Sequence, residues 1–578
     1  MVSARRQHRI LALGLVAVVA AVAFTASLSS GRAGAQSKAA SYPRSETLIT
    51  SGTQWGPIAG TNPYVGNYAT GMVELANETL LRYDPLKDRY INWLAKSARF
   101  SGKKVYTVKV RPGIKWSNGQ KFTGKDVAWN FRLGRFSSAY WHNLYSSLKS
   151  IKVKGLTVKF NFKGTPQYIQ WQHLIWNLPL INPAQGGSIN NKTLTTYSPE
   201  NPIGTGPYAL DPAGYDATTR VVWKKKAVWW AAKQKLAPSP APKYVIDLTS
   251  GTCNTECWPL DVEDLNNNYL PGVQKYVKSG QMQTYFPEKP YNLSANTAWL
   301  ELNTTKPALN DKRFRKALAT SIDIGNIVKN DYGDLVLPAN ATGLLPTWKK
   351  WVDRKQLKSL GFKYSTDRTK SMLLAAGYAD KDSDGCVETP GGKKIDLKIA
   401  VPSGWSDWEM ARDMIIASAK KAGICMHKDE GDFNHWQKER NQGLFDTVID
   451  NNYQLSDSPW TYYDGIFHLP IVKTGEGQTV ANFSRYANAE AWNLVKKLDR
   501  TRPEDVTRRK ALMKKLQKIT MTDLPMIPLW YNGVWAQWGS RYWTSWPSSI
   551  SKRNYLPCMW RGYMQMTAID MITHLKPA

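Results

Sequence analysis

The sequence is short of acidic residues, with 77 Lys and Arg against 45 Asp and Glu and a formal net charge of +32. An excess of positive charge on this scale can indicate a nucleic-acid ligand or an anionic surface. The basic residues are nevertheless spread along the chain, singly or in short groups such as 224–226, and form no long run. We therefore expect an evenly charged, solvated surface, with attraction to an anionic envelope as the alternative and no nucleic-acid partner.

Long hydrophobic runs are also lacking beyond the first part of the chain. Three Arg precede an apolar run over 10–24, and the small residues 33–35 follow. This pattern is typical of a secretory signal peptide over 1–35, cleaved before Gln36. No later stretch approaches the roughly 20 apolar residues that span a bilayer, and no Cys near the cleavage site could carry a lipid anchor. We expect a soluble monomer that is secreted, periplasmic or exposed at the exterior of the cell envelope.

Cysteine is scarce, with five in 578 residues. In an exported chain, cysteines typically form disulfides. Cys253 and Cys257 favour a local loop clip, whereas Cys386 and Cys425 flank a predicted strand–helix–strand stretch and could meet across neighbouring strands. No second Cys/His pair accompanies the CxxxC motif, so a disulfide is favoured over a metal site, and Cys558 is left over.

The motifs of several enzyme classes are absent: GxSxG, HExxH, GxxxxGK[ST] and a paired CxxC. Asp407 with Glu409, or Asp457 with Asp464, could serve as the acid and nucleophile of a glycosidase. Pairs of acids at such short spacing arise by chance in many sequences. We therefore predict a protein that is not an enzyme and needs no cofactor.

A calcium site is a weak candidate. Asp380, Asp382 and Asp384 match the opening of a calcium-binding loop, but the twelfth position, normally Glu, is Gly391. A polar turn before a strand is the favoured interpretation.

Tryptophan, in contrast, is abundant, with 25 Trp against 14 Phe. It is densest within 524–547, which contains Trp530, Tyr531, Trp535, Trp538, Tyr542, Trp543 and Trp546. A core strand normally uses Val, Ile and Leu, because indole is large and its N–H needs a partner. Flat apolar faces beside the neutral amides of Asn532 and Gln537 suit a sugar ring. The alternative interpretation is an aromatic-rich core.

Strand and helix signals interleave along the chain, which predicts α/β organisation. Residues 95–110 have the pattern of a hairpin with its turn at 101–104, and 156–162 and 395–399 alternate like strands. Three helix starts are predicted: a capping box at Thr123 and Asp126, an N-cap at Asn310, and a capping box at Thr501 and Glu504.

Three ordered segments carry a resemblance to a known family. They are YTVKVRPGIKWSNGQKFTGKDV (106–127), NPIGTGPY (201–208) and LNTTKPALNDKRFRKAL (302–318). The chain resembles the family-5 extracellular solute-binding proteins of ABC importers, which bind oligopeptides, dipeptides, nickel and some oligosaccharides. The resemblance extends over nearly the whole mature chain.

The resemblance implies a two-lobed periplasmic-binding-protein fold of the class II type, with an additional small inserted domain and lobes that close on the ligand like a hinge. The implied bounds are a first lobe over 42–82, 203–295 and 525–578, a small domain over 83–202, and a second lobe over 296–524. The Trp-rich segment would then lie near the crossing between the lobes.

Two further stretches bear on the ligand. Trp405 and Trp408 lie in a predicted strand-end loop, and Trp460 lies with Asp457 in a predicted aromatic loop over 454–464. Together with 527–538, these stretches resemble the branch of the family that binds cello-oligosaccharides. The predicted ligand-contacting residues are Trp55, Trp405, Trp408, Asp457, Trp460, Trp530, Tyr531, Asn532, Trp535 and Gln537.

The resemblance therefore implies a substrate-binding protein that captures an oligosaccharide, β-linked and built from glucose or mannose, and passes it to the membrane permease of an ABC importer. An oligopeptide binder is the alternative. It would need charged groups for the peptide termini, for which Asp457 and Arg485 are candidates, although each is more typical of a solvated or hydrogen-bonding residue. A secreted glycoside hydrolase is the third possibility.

Overall fold

The structure is a computed structural model that describes residues 42–578 except 55–57, 59, 66–67, 250–262, 452–453, 456, 553 and 560–566. It confirms the predicted mixture of strands and helices. No helix among the described residues is long and apolar enough to cross a membrane.

The strands are, in chain order, β1 Thr47–Gln54, β2 Leu81–Asp84, β3 Arg89–Asn92, β4 Ala95–Gly102, β5 Val105–Val110, β6 Leu148–Lys154, β7 Thr157–Phe162, β8 Tyr208–Leu210, β9 Arg220–Lys225, β10 Tyr244–Thr249, β11 Leu265–Asn266, β12 Gln283–Thr284, β13 Leu293–Leu302, β14 Leu337–Pro338, β15 Leu397–Pro402, β16 Met426–Gly431, β17 Thr447–Asp450, β18 Met526–Val534, β19 Gln537–Trp538, β20 Trp543–Thr544 and β21 Lys576–Pro577.

The α-helices are Gly124–Arg132, His142–Ser146, Tyr168–Asn177, Trp230–Lys233, Val273–Lys278, Lys312–Ser321, Ile324–Asn330, Arg354–Leu360, Thr366–Ala375, Ser406–Lys420, Phe433–Gln442, Pro459–Phe467, Ala489–Asp499, Val506–Asp523 and Thr567–Ile572, with short 3-10 turns at Arg44–Glu46, Leu133–Arg135 and Pro346–Trp351.

Two large sheets dominate the architecture. The first has seven strands in the order β12-β19-β11-β1-β10-β9-β8, and the second has six in the order β14-β18-β13-β17-β15-β16. In the first sheet β1 runs parallel to β10 and β11, and in the second β15 runs parallel to β16 and β17. Each sheet therefore combines a parallel part with antiparallel neighbours, a mixed α/β arrangement.

The chain passes between these two sheets at two places. One passage leads from β12 to β13 through residues 285–292, and the other leads from β18 to β19 through Trp535 and Ala536. Within the second sheet, β13 and β18 are antiparallel neighbours, with Leu293 opposite Val534. The two passages are therefore adjacent, as required of a double-stranded hinge.

A separate four-stranded antiparallel sheet has the order β4-β5-β7-β6. It contains the predicted hairpin, with Ala95 of β4 opposite Val110 of β5. The helix Gly124–Arg132 packs on one face of this sheet, and Thr123 and Asp126 form the predicted capping box. The turn chemistry and the period-two alternation were sufficient signals in this region because they are local.

Two predicted helix starts are displaced. Asp311, not Asn310, caps the helix Lys312–Ser321 by accepting the N–H of Arg313. The capping box at Thr501 and Glu504 is wrong, because the helix begins at Val506 and Asp505 caps it. In both cases a carboxylate closer to the first helical turn takes the capping position.

The predicted loop over 454–464 contains a helix instead. Ser458 accepts the N–H of Thr461, and Pro459 occupies the first turn of the helix Pro459–Phe467. Proline is favoured at this position because its missing N–H needs no acceptor there. The Ser458-Pro459 pair is a sequence signal for a helix start, which the prediction of an aromatic loop did not take into account.

The predicted pairing of Cys386 with Cys425 is confirmed, with the two Cα atoms 5.6 Å apart. The bond links the segment before β15 to the residue directly before β16. Cys253 and Cys257 lie outside the described residues, and Cys558 is buried.

Loss of this disulfide should measurably destabilise the protein. It closes a loop with a sequence separation of 39, which in the chain-entropy model is worth about 4 kcal/mol. We expect reductant to lower the Tm of the wild-type protein and to leave the Tm of a Cys386→Ser/Cys425→Ser variant unchanged. A variant that remains as sensitive to reductant as the wild type would assign the effect to other cysteines.

Candidate ligand site between the two large sheets

The carboxyl ends of the parallel strands in both large sheets face the region where the chain crosses. In the first sheet, strand β19 runs away from the crossing, and β11 is antiparallel to β19. Strand β11 therefore runs toward the crossing, as do β1, which is parallel to β11, and β10, which is parallel to β1. In the second sheet β17 is antiparallel to β13, which leaves the crossing, and β15 is parallel to β17. Ligands of open α/β sheets bind beyond such carboxyl ends.

This polarity places several predicted residues near one another in the topology. Trp405 follows β15, Asp457 and Trp460 follow β17, and Trp535 lies in the crossing itself. The backbone N–H of Leu455 bonds to the carbonyl of Ala295 at the start of β13, which holds the segment after β17 against the crossing strand. Trp55 follows β1 and lies outside the described residues.

Aromatic side chains bridge the two sheets at the crossing. The ring of Tyr269, which follows β11, lies 4.8 Å from the ring of Trp535 and 5.8 Å from that of Tyr332 in the second sheet's half. Tyr332 lies 5.2 Å from Trp530. Trp535 is partly buried and retains exposed surface. Neither Tyr269 nor Tyr332 belongs to an aromatic cluster along the chain, so no sequence pattern marked them as part of the site.

Neutral amides hold the crossing segments. The side chain of Asn267 donates to the carbonyl of Trp535 at 2.9 Å, and Asn292 accepts the N–H of Ala536 at 3.4 Å. The indole N–H of Trp530 donates to Asn532 at 2.6 Å, and Asn532 donates to Asn296 at 2.9 Å. The run of three Asn at 266–268 was a detectable signal for this network.

Most of the predicted residues in the Trp-rich segment are buried. Trp530 is 0% exposed, and Tyr531 donates its hydroxyl to the carbonyl of Leu344 at 2.9 Å. Gln537 is also buried and donates to the carbonyl of Asn268 at 2.5 Å. These groups already have partners within the protein, which fits a supporting role around the crossing. A direct contact of these residues with a ligand stays a prediction.

The predicted tryptophans in the segments that follow β15 and β17 are also mostly buried, with one exposed. Trp405 is 37% exposed and its ring lies 5.9 Å from that of Phe433, which follows β16. Trp408, predicted to lie in a loop, belongs instead to the helix Ser406–Lys420 and is buried. Trp460 is 7% exposed and donates its N–H to the carbonyl of Val495 at 3.1 Å.

Three acids near the crossing have raised pKa values. Burial raises the pKa of Asp457 to about 6, and its carboxylate accepts the N–H of Gln454 at 2.9 Å. Burial, with the charge of Asp407 second, raises the pKa of Asp331 to about 7. Burial also raises the pKa of Asp407, which accepts the hydroxyl of Tyr332 at 3.0 Å. Asp407 therefore participates in the aromatic bridge.

Arg485 is not free to bind a peptide carboxylate. Its side chain is 2% exposed, and its guanidinium donates to the carbonyls of Phe483 and Asn441 at 2.6 and 2.9 Å. Arg485 is therefore a hydrogen-bonding residue that supports the backbone, which is one of the two roles that the sequence analysis favoured for it.

The acids of the calcium candidate do lie together. Carboxylate oxygens of Asp380, Asp382, Asp384 and Glu388 lie within 4.8 Å of one another. The ammonium group of Lys394 pairs with Asp382 at 2.7 Å and with Asp384 at 2.9 Å. The lysine supplies positive charge to the cluster, as expected for a polar turn. A calcium ion at this position remains a weak candidate.

Two sheets joined by two adjacent crossings, with strand ends facing each other, define the class of two-lobed solute-binding proteins. Residues 89–472 match the family described as bacterial extracellular solute-binding proteins, family 5 Middle. The chain belongs to this family, and it is a substrate-binding protein of an ABC importer. The family consists of solute-binding proteins and not of enzymes.

Solved structures from Thermotoga maritima resemble the chain along its length. The crystal structure of a periplasmic oligopeptide-binding protein of an oligopeptide ABC transporter is 30% identical, with a TM-score of 0.88, over 93% of this chain and 100% of that chain. The same protein with bound mannohexaose gives a TM-score of 0.82, over 93% of this chain and 99% of that chain. The predicted fold class is confirmed.

The oligopeptide-binding protein OppA of Bacillus subtilis is 23% identical over 460 residues, which are 75% of this chain and 78% of OppA. Such relatives are periplasmic or extracellular solute-binding proteins, in agreement with the predicted location outside the cytoplasm. The residue bounds of the two lobes and the small domain remain predictions.

The two tryptophans at the crossing should respond differently to truncation. Because Trp530 is buried and Trp535 is partly exposed, Trp530→Ala should cost about 3–5 kcal/mol of stability and Trp535→Ala clearly less. Thermal unfolding of both variants, followed by circular dichroism, measures the difference. Equal Tm values for Trp530→Ala and the wild type would contradict a core position for Trp530.

Proposed function

We propose that this protein captures a β-linked gluco- or manno-oligosaccharide and delivers it to the membrane permease of an ABC importer. The observation that carries the proposal is the similarity to the Thermotoga maritima protein, which is 30% identical and was solved with mannohexaose. The chemistry of the crossing supports it, since aromatic faces lie beside neutral amide groups. Sugar rings offer apolar C–H patches for stacking and hydroxyls for hydrogen bonds.

Within this site, Trp535 and Trp405 are the proposed stacking residues because both keep exposed surface. Asp457 is partly exposed and its carboxylate would accept hydrogen bonds from sugar hydroxyls. Trp55 is proposed to contribute from the opposite lobe. Trp530 and Asn532 would hold Trp535 and the crossing in position. Ligand bound between the lobes would favour the closed state through its differential affinity for that state.

Oligopeptide binding is the second candidate, because OppA of Bacillus subtilis and other relatives are oligopeptide-binding proteins. A peptide with free termini presents a carboxylate, and the candidate base Arg485 is occupied by backbone carbonyls. Asp457 remains available for an amine. The described part of the crossing therefore supports the sugar more than the peptide.

A ligand screen separates the two candidates. We expect mannohexaose or cellohexaose to raise the Tm, because a ligand that binds only the native state stabilises by about 2.7 kcal/mol at a hundredfold excess over Kd. Peptides of five to nine residues form the parallel arm, and titration calorimetry on each hit gives the affinity. Stabilisation by peptides alone would reverse the assignment.

The stacking role of Trp535 can be tested against a matched control. Trp535→Ala should weaken oligosaccharide binding by about 1–2 kcal/mol, roughly five- to thirtyfold, through loss of an aromatic face. Trp492 provides the control. It lies on the helix Ala489–Asp499 and is also partly buried, but it packs against His468 and Lys496. We therefore expect Trp492→Ala to bind the oligosaccharide as the wild type does. Calorimetry on both variants decides, and equal affinities would remove Trp535 from the site.

A further inference from the structure

The positive charge of the chain is concentrated and not even. Residues 89–199 contain 18 Lys and Arg and a single acid, Asp126, so they hold more than half of the formal net charge of +32. This corrects the expectation of an evenly charged surface. The segment includes the whole four-stranded sheet β4-β5-β7-β6, and all of its residues are described.

One face of this sheet is apolar and the other is basic. The inward side chains, such as Tyr106, Val108, Val158 and Phe160, are buried in the core. The outward side chains alternate with them, as the period of two requires. The outward set includes five exposed cations and no acid: Arg99 on β4, Lys109 on β5, Lys159 on β7, and Lys152 and Lys154 on β6.

Strand register brings these cations close together. Lys152 on β6 lies directly opposite Lys159 on β7. On its other side, Lys159 lies opposite Thr107 on β5, and Thr107 lies opposite Arg99 on β4. Like charges directly opposite in a sheet are destabilising. Among the described residues, none of the three cations has an ion-pair partner. The isolated protein therefore carries an electrostatic cost that an opposing anionic surface would relieve.

Protection of sheet edges accounts for only part of this pattern. Lysine on an edge strand discourages pairing with another chain, and β4 and β6 are the edges of this sheet. Lys109 and Lys159, however, lie on the central strands β5 and β7, where no edge needs protection. These two residues require another explanation.

The basic surface continues around the β6 edge. A cavity of 320 Å³ there is lined by Arg132, Arg135, Lys149 and Lys163, with no acid in its lining. Arg132 donates to the carbonyl of Ile151 at 3.3 Å, so part of this lining also holds the edge strand. Strand β6 connects the two groups of basic residues, because it carries Lys152 and Lys154 on the outer face and Lys149 in the lining of the cavity.

We propose that the outer face of the four-stranded sheet docks on an anionic phospholipid surface. A membrane rich in acidic lipids attracts basic residues within about one Debye length, roughly 8–10 Å in physiological salt. The face is broad and carries its charges in cross-strand rows, which suits a planar array of headgroup phosphates. The family's importer role requires delivery to a membrane permease, so residence at the membrane shortens the search. The proposal is independent of which solute is carried.

The test compares two variants of equal net charge in the full mature chain. The first neutralises the face with Lys109→Gln, Lys152→Gln and Lys159→Gln. The control neutralises three exposed lysines on helices beside the second large sheet, with Lys355→Gln, Lys358→Gln and Lys370→Gln. Co-sedimentation with vesicles of phosphatidylglycerol and phosphatidylcholine measures partitioning, and pure phosphatidylcholine vesicles and a soluble polyphosphate are the comparison arms.

We expect the wild type to bind the phosphatidylglycerol vesicles, to release them at high salt and to ignore pure phosphatidylcholine. The face variant should partition about a hundredfold more weakly, at about fivefold per lysine removed, while the control variant keeps most of its binding. The face variant should melt no lower than the wild type, because the repulsion between Lys152 and Lys159 is gone. Equal losses in both variants, no vesicle binding, or binding to polyphosphate without vesicle binding would each overturn the proposal.

Discussion

Buried indole side chains, each with an N–H that needs an acceptor, are the constraint on which much of this structure depends. The clearest case is Glu78, a fully buried carboxylate that accepts indole N–H groups from Trp93, Trp229 and Trp230 at 2.9, 3.3 and 2.7 Å. Burial raises the pKa of Glu78, while hydrogen bonds from Trp230, Thr205 and Trp93 and the charge of Lys226 oppose that rise. A buried acid is tolerated here because its oxygens are hydrogen-bonded.

Several other buried indoles have an acceptor as well, whereas the N–H groups of Trp116, Trp171, Trp299 and Trp348 have no hydrogen-bond partner among the described residues. Indole N–H groups of Trp223, Trp436 and Trp543 donate to the backbone carbonyls of Thr70, Ile449 and Thr47. Each of these three tryptophans therefore serves as a core residue with one directional bond, which ties its strand or helix to a backbone carbonyl elsewhere in the chain. An abundance of tryptophan is consequently no evidence of sugar binding by itself. The proposal of sugar binding rests on the similarity to the mannohexaose-bound Thermotoga maritima protein, and the few aromatic side chains that keep exposed surface at the crossing support it.

Local signals made much of the fold predictable from the sequence. The hairpin over 95–110 and the capping box at Thr123 and Asp126 depend on residues within a few positions of one another, and both are present. The pairing of Cys386 with Cys425 was predicted from the strand–helix–strand stretch that the two cysteines flank. The predicted helix start was wrong where two adjacent polar residues could each cap the helix, as at Asn310 and Asp311.

The candidate site was harder to predict because it is assembled from distant segments. Tyr269 and Trp535 are neighbours only because β11 and β19 pair across the first sheet. Arg485 could be recognised as a structural residue only once its carbonyl partners were known. Sequence patterns singled out the Trp-rich segment, but they could not distinguish a buried indole from an exposed one.

The distribution of charge follows the same logic at a larger scale. The chain has no long basic run in this region, because outward and inward residues alternate along a strand, as Val153 does between Lys152 and Lys154. Folding places alternate residues on one face and aligns them across strands, so Lys152 and Lys159 become direct neighbours. The proposed solute site lies at the crossing between the large sheets, whereas this basic face lies on a sheet of its own. Solute recognition and attraction to a surface can therefore vary independently, because no residue assigned to one belongs to the other.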